Sequence, residues 1–68
     1  MTLSARNHLK GIVDEVQFGD VLAHITVRVG DSFIESVITR RSAEELGLKK
    51  GDTVTAVVKA TEVMIAKP

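Results

Sequence analysis

Two polar residues near the start of the chain, Ser4 and Arg6, have the spacing needed to bind one ligand together. They lie two positions apart, on either side of Ala5, and side chains two apart on an extended strand project to the same face. Together they offer a hydroxyl and a guanidinium, and the guanidinium forms charge-assisted hydrogen bonds with anions. This segment is therefore a candidate for one half of an anion site.

A second group of donors lies near the end of the chain, at Lys59-Ala60-Thr61. This stretch interrupts the alternating pattern between the last two expected strands, and such interruptions often expose backbone N–H groups that can line an anion-binding concavity. Lys59 adds a point charge. If this segment meets residues 4–6, within a subunit or across an interface, the two form a pocket of donors.

A pocket that contains only donors suits a fully ionised tetrahedral oxyanion. Phosphate at neutral pH still carries a proton in part, and that proton needs an acceptor. Such a pocket therefore favours molybdate, tungstate or sulfate. The residues alone leave an alternative open, in which Ser4 and Arg6 belong to a solvated terminus and Lys59 is an ordinary edge-strand lysine.

The clearest strand pattern runs from Val21 to Val29, where the odd positions are apolar and the even ones mostly polar. Turn-forming residues flank it, Gly19-Asp20 before and Gly30-Asp31-Ser32 after, so the neighbouring segments should pair with it antiparallel. Those segments, His8 to Phe18 and Phe33 to Thr39, contain several β-branched residues. Three strands forming a meander are predicted.

The second half of the chain predicts one short helix and two further strands. Ser42-Ala43-Glu44-Glu45 fits a capping box, and Leu46-Gly47-Leu48 supplies a glycine stop. After the turn at Lys49–Asp52, Thr53 to Lys59 and Val63 to Ile65 read as strands. The order predicts an all-β fold, an OB-like five-stranded antiparallel barrel with one short helix between strands 3 and 4.

Length and composition restrict the possible partners. The 68 residues allow a single domain, 1–68, and a core this small seldom yields more than about 3 to 5 kcal/mol without disulfides, a metal or subunit packing. With no cysteine, self-association is the expected stabiliser. Nine basic residues balance nine acidic ones, which argues against nucleic acid and membrane partners. Met1–Arg6 lacks the apolar run of a signal peptide, so we expect a cytoplasmic protein.

The sequence gives little support for catalysis or for a bare metal ion. His8 and His24 have no cysteine or paired histidine nearby. Asp14 and Glu15 would point to opposite faces of a strand, and Glu44-Glu45 is accounted for by helix capping. No glycine-rich phosphate loop is present. We expect the protein not to be an enzyme.

Several short motifs resemble the Mop domain of the molbindin family in their order and spacing: Ser4-Ala5-Arg6-Asn7, Leu9-Lys10-Gly11, Ile38-Thr39, Ser42-Ala43, Leu46-Gly47-Leu48 and Val58-Lys59-Ala60. The resemblance implies a stand-alone domain that binds molybdate, or tungstate in its place, at subunit interfaces for intracellular storage or homeostasis of molybdenum. It also implies a homo-oligomer, a hexamer built as a trimer of dimers. The ligand groups it implies are Ser4, Ala5, Arg6, Thr39, Lys59, the backbone N–H of Ala60, and Thr61.

Two other classes of function remain open from the sequence. The stretch from Leu46 to Val54 also resembles the swapped-hairpin DNA-binding domains of antitoxins and transition-state regulators, but those usually carry a basic strand face, which this neutral chain lacks. Phe18 and Phe33 are the only aromatic residues, too few for a base-stacking platform. A purely structural interaction module would have the same composition, and only ligand-dependent stability would separate it from an anion-binding protein.

Overall fold

The computed structural model describes residues 4–68, which form four strands, one α-helix and one short 3-10 helix. Residues 1–3, which begin the segment considered for a signal peptide, lie outside the described residues. The strands are β1 (Asn7–Phe18), β2 (Leu22–Val29), β3 (Ser32–Thr39) and β4 (Thr53–Val58), the α-helix α1 spans Arg40–Leu46, and the 3-10 helix η1 spans Ala60–Glu62. The all-β class and the position of the helix are as predicted. Within 4–68 no helix is long and apolar enough to cross a bilayer.

The strands form one antiparallel sheet in the order β3-β2-β1-β4. Strand β1 is shared between two partners. Residues 7–12 of it pair with β4, and residues 12–18 pair with β2. Strand β2 in turn pairs along its whole length with β3, which confirms the predicted meander. Strands β3 and β4 are left as the two edges of the sheet.

Strand β1 bends where it passes from one partner to the other. Its register with β2 shifts between Val13 and Glu15, which marks a β-bulge, and bulges increase local bending and twist. The loop before β4 is attached beside this bulge, because Val13 donates to the carbonyl of Asp52 at 2.9 Å and accepts from the N–H of Gly51 at 2.8 Å. The sheet coils so far that residues of β3 and β4 line the same groove.

A small apolar core fills the concave side of the coiled sheet. It consists of Val13 from β1, Ala23, Ile25 and Val27 from β2, and Ala43 from α1. The three β2 residues are those that the alternating pattern assigned to one face, so that prediction is confirmed. Many larger apolar side chains stay exposed, including Leu46 and Met64. One chain therefore buries only part of its apolar surface.

The helix begins earlier than the capping box predicted. Thr39, in an extended conformation at the end of β3, accepts a hydrogen bond from the N–H of Ser42 at 3.0 Å and donates to the Ser42 hydroxyl at 2.8 Å. Ser42 therefore lies inside the first turn and is not the cap, and Glu45 contacts Arg41 at 3.2 Å instead. The end is as predicted, because Gly47 adopts a left-handed φ of 62°.

The predicted fifth strand does not form within the described chain. After the 3-10 helix, Val63, Met64 and Ile65 pair with no strand, although their apolar pattern is that of one. Met64 and Ile65 are 92% and 89% exposed. A strand needs a neighbouring edge as well as a suitable pattern, and this segment leaves β4 without pairing with it. One chain thus forms a coiled four-stranded sheet and not a five-stranded barrel.

Candidate functional site

The two predicted donor segments meet at one end of the sheet. The β1–β4 ladder ends with Asn7 opposite Val58. Because the pairing is antiparallel, the residues that precede Asn7 and those that follow Val58 leave the sheet at this same end. They are residues 4–6 and 59–61. The structure therefore brings six of the seven predicted site residues to one end of a single chain.

The two cations of these segments directly flank the end of the ladder. Arg6 immediately precedes Asn7 and Lys59 immediately follows Val58, and both cations are exposed. The ion pairs found in residues 4–68 involve His24, Arg40 and Arg41. The nearest carboxylate along the second segment is that of Glu62, whose exposed side chain forms no ion pair in this part of the chain. Arg6 and Lys59 are thus free to pair with an external anion.

The backbone after β4 presents N–H groups, as the break in the strand pattern predicted. Lys59 is extended and precedes the 3-10 turn, whose carbonyls at Lys59 and Ala60 accept from the N–H groups of Glu62 and Val63 at 2.9 and 3.4 Å. The N–H groups of Ala60 and Thr61 begin this turn, and the first N–H groups of a helical turn have no partner within it. They are available to an anion together with the Thr61 hydroxyl.

Thr39, the seventh predicted residue, lies elsewhere. It is opposite Leu22 in β2, beside the Phe18–Ala23 pair that ends the other half of β1. The Arg6 end and the Thr39 end of the chain are therefore at opposite ends of the sheet. The Thr39 hydroxyl is also engaged, because it caps α1 through Ser42. One chain does not place Thr39 next to Arg6 and Lys59.

Two residues that the sequence did not assign to the site form hydrogen bonds within its first segment or directly beside its second. The side-chain Nδ2 of Asn7 donates to the Val58 carbonyl at 3.1 Å, and the Nε2 of His8 is 2.9 Å from the Ala5 carbonyl. A carbonyl oxygen can only accept, so the His8 ring carries a proton on Nε2. Asn7 is a polar residue at a position that faces the inside of the sheet. This was the sequence signal that could have indicated its contact with the Val58 carbonyl.

Comparison with known proteins shows the family to which the chain belongs. A family model described as the TOBE domain matches residues 3–65. The chain is 48% identical over 66 residues to molybdenum-pterin-binding protein 2 of Clostridium pasteurianum, which covers 96% of this chain and 97% of that one. The chain belongs to the Mop, or molbindin, family of TOBE domains. The stretch from Leu46 to Val54 is accordingly the α1–β4 connection of a TOBE domain and not part of a swapped hairpin.

Solved structures share the fold of this Mop domain. A molybdate-binding protein from Sporomusa ovata superposes with a TM-score of 0.93 at 40% identity, covering 98% of this chain and 100% of that one. MopII from Clostridium pasteurianum gives 0.89 at 46% identity, with 97% and 100% covered. ModG, described as a cytoplasmic molybdate-binding protein, gives 0.82 at 41% identity, with 88% of this chain and 43% of that chain covered.

Proposed function

We propose that this Mop domain binds molybdate, with tungstate as an equivalent ligand, for the storage or homeostasis of molybdenum in the cytoplasm. The observation that carries the proposal is the convergence of residues 4–6 and 59–61 at the end of the β1–β4 ladder. The names of the relatives from Clostridium pasteurianum and Sporomusa ovata support the choice of ligand. The proposal needs binding alone and no covalent step.

The roles of the residues follow from their charges and donors. Arg6 and Lys59 neutralise the dianion, and the guanidinium of Arg6 can donate two parallel hydrogen bonds to its oxygens. The Ser4 hydroxyl and the N–H groups of Ala60 and Thr61 donate to the remaining oxygens, with the backbone at Ala5 fixing the distance between Ser4 and Arg6. Both cations are required, because one pair at about 4 Å is worth about 4 kcal/mol at an effective dielectric of about 20, and desolvation offsets much of it.

A complete site requires a second chain. Thr39 lies at the opposite end of the sheet from Arg6 and Lys59, so in this proposal it comes from a neighbouring subunit, and the anion lies at an interface. A symmetric homo-oligomer repeats such an interface at every equivalent contact. We propose a hexamer, built as a trimer of dimers, that binds neither nucleic acid nor membrane.

The same association completes the barrel. Strands β3 and β4 each have one free edge, and the apolar groove that they border has a volume of about 290 Å³. Val63, Met64 and Ile65 form an exposed apolar run that pairs with no strand among residues 4–68. In the proposed assembly this run of one subunit adds to the open sheet of another as the fifth strand of an OB-like barrel, which removes exposed edges from both.

Titration of the anion-free protein in a calorimeter tests the proposal. Molybdate, tungstate, sulfate and phosphate are added in parallel, and light scattering gives the mass of the assembly in the same buffer. We expect saturable binding of molybdate and tungstate, weak or no binding of phosphate, and a stoichiometry that fits sites shared between chains. Absence of heat together with an unchanged melting temperature in molybdate would exclude the proposal.

A further inference from the structure

We infer that Asn7 and His8 are specificity-determining residues, which make the site reject oxyanions that carry a proton. The inference rests on the proposed function and deepens it. The side chains of these two consecutive residues each donate to a backbone carbonyl, His8 to one within the first donor segment and Asn7 to the one that directly precedes the second. Asn7 Nδ2 lies 3.1 Å from the Val58 carbonyl oxygen, and His8 Nε2 lies 2.9 Å from that of Ala5.

Two further carbonyls of the second donor segment also accept hydrogen bonds from the chain itself. Those of Lys59 and Ala60 accept from the N–H groups of Glu62 and Val63 within the 3-10 turn. Four backbone acceptors around the candidate site therefore have donors of the chain's own, while the N–H groups of Ala60 and Thr61 begin the turn without a partner inside it. At these positions the four carbonyls already accept a hydrogen bond, while the N–H groups that begin the turn remain open to an anion.

This arrangement discriminates between anions of the same shape. Molybdate is a tetrahedral dianion whose four oxygens all accept. Hydrogen phosphate is also tetrahedral, but one oxygen carries a proton that must reach an acceptor when the anion leaves water. A polar group left without a partner in a desolvated site costs most of its hydration free energy. By occupying the Val58 and Ala5 carbonyls, Asn7 and His8 make two nearby acceptors less available to that proton.

Asn7 and His8 perform this role from opposite faces of β1. Asn7 is half-buried on the inner face, and His8 is exposed on the outer face opposite Val57. Neither is assigned a contact with the anion, so both act through the carbonyls that they engage. Their loss should therefore change the selectivity of the site, whereas loss of Arg6 or Lys59 should weaken all oxyanions together.

The test compares molybdate and phosphate affinities of Asn7→Ala, His8→Ala and the double variant in a calorimeter. We expect each freed carbonyl to shift the ratio of the two affinities toward phosphate by about tenfold, equivalent to about 1.4 kcal/mol, the size of one hydrogen bond. His8→Gln keeps a side-chain donor and should restore much of the wild-type ratio. His24→Ala is the matched control, because His24 pairs with Glu35 at 3.3 Å and not with a carbonyl of the site.

The outcomes separate this inference from the proposed function. If the wild-type protein binds no molybdate, the proposed function fails and the inference fails with it. If it binds molybdate and the variants keep the wild-type ratio, or lose both anions in proportion, the inference is overturned while the proposed function stands. Should Asn7→Ala fail to fold, His8→Ala decides alone, because His8 is exposed and its replacement disturbs no core packing.

Discussion

A methyl group on Gly11 would lie 2.6 Å from the carbonyl oxygen of Arg28, a distance too short for a Cβ carbon and a backbone oxygen. Gly11 is buried and pairs with Val54 of β4, whereas Arg28 belongs to β2. The contact therefore lies where β1 passes from one partner strand to the other. A strand that bends this tightly over its neighbour can carry only glycine at the point of approach. The part of β1 on the N-terminal side of this bend pairs with β4 and leads back to the first donor segment.

Gly11→Ala should destabilise the fold. The added methyl would also meet the Val27 side chain at 2.7 Å, so backbone and core would both have to move. We expect a loss of about 1 to 3 kcal/mol, the usual cost of overpacking, and a melting temperature lower by about 4 to 8 °C per kcal/mol. Thermal unfolding measures it, with the exposed neighbour Lys10→Ala as control. An unchanged melting temperature would mean that β1 does not approach β2 this closely.

Thr39→Ala should destabilise the protein by about 1 kcal/mol, because it removes the helix cap. Its hydroxyl contacts both the N–H and the hydroxyl of Ser42, and it is the N-cap of α1. Thr39→Ser should keep nearly full stability, because serine retains the hydroxyl that caps α1. Because we also propose Thr39 as a ligand from the neighbouring subunit, molybdate affinity should fall in Thr39→Ala and persist in Thr39→Ser. If Thr39→Ala loses stability but keeps the wild-type molybdate affinity, Thr39 is the helix cap and not a ligand.

The sheet was largely predictable because its signals are local. The alternation along β2 and the glycine-containing turns on either side of it define three strands, and the structure places β2 at Leu22–Val29 against a predicted Val21 to Val29. The break in the pattern at Lys59-Ala60-Thr61 likewise predicted an interruption after β4, where the structure has a 3-10 turn. Each of these features depends on neighbouring residues alone, so a single sequence contains the information.

Features that depend on a distant partner were harder to predict. The capping box at Ser42 was plausible by spacing, but the extended end of β3 placed Thr39 as the cap and moved the helix start to Arg40. The predicted fifth strand is absent from the described chain. The Val63–Ile65 pattern does not reveal which edge such a strand would pair with, or whether that edge is in the same chain. The contact of Asn7 with the Val58 carbonyl depends on the β1–β4 register, which composition does not encode, whereas the contact of His8 with the Ala5 carbonyl is local.

Arg6→Ala and Lys59→Ala should each weaken molybdate binding by about tenfold to a hundredfold, the size of a lost hydrogen bond to a charged group. Both side chains are exposed, so the fold and the mass of the assembly should not change. Arg41→Ala is the matched control, since Arg41 is a similarly exposed cation that already pairs with Glu45 at 3.2 Å. Calorimetric titration provides the affinities. Wild-type affinity in both site variants would remove these residues from the site.

Ile65→Asp should dissociate the proposed assembly. Ile65 is 89% exposed in the single chain, so a carboxylate there costs an isolated subunit almost nothing. In an assembly where the 63–65 run fills an apolar groove of another subunit, that carboxylate would have to be desolvated without a partner, which is far more costly than burying isoleucine. Light scattering should show a fall in mass, and Lys67→Asp, beyond the apolar run, should leave the mass unchanged. If Ile65→Asp keeps the wild-type mass, the assembly does not depend on strand addition by this segment. If instead the wild-type protein is a stable monomer, residues 63–65 do not bind the groove of another subunit. The proposal of an anion site shared between subunits is then wrong as well.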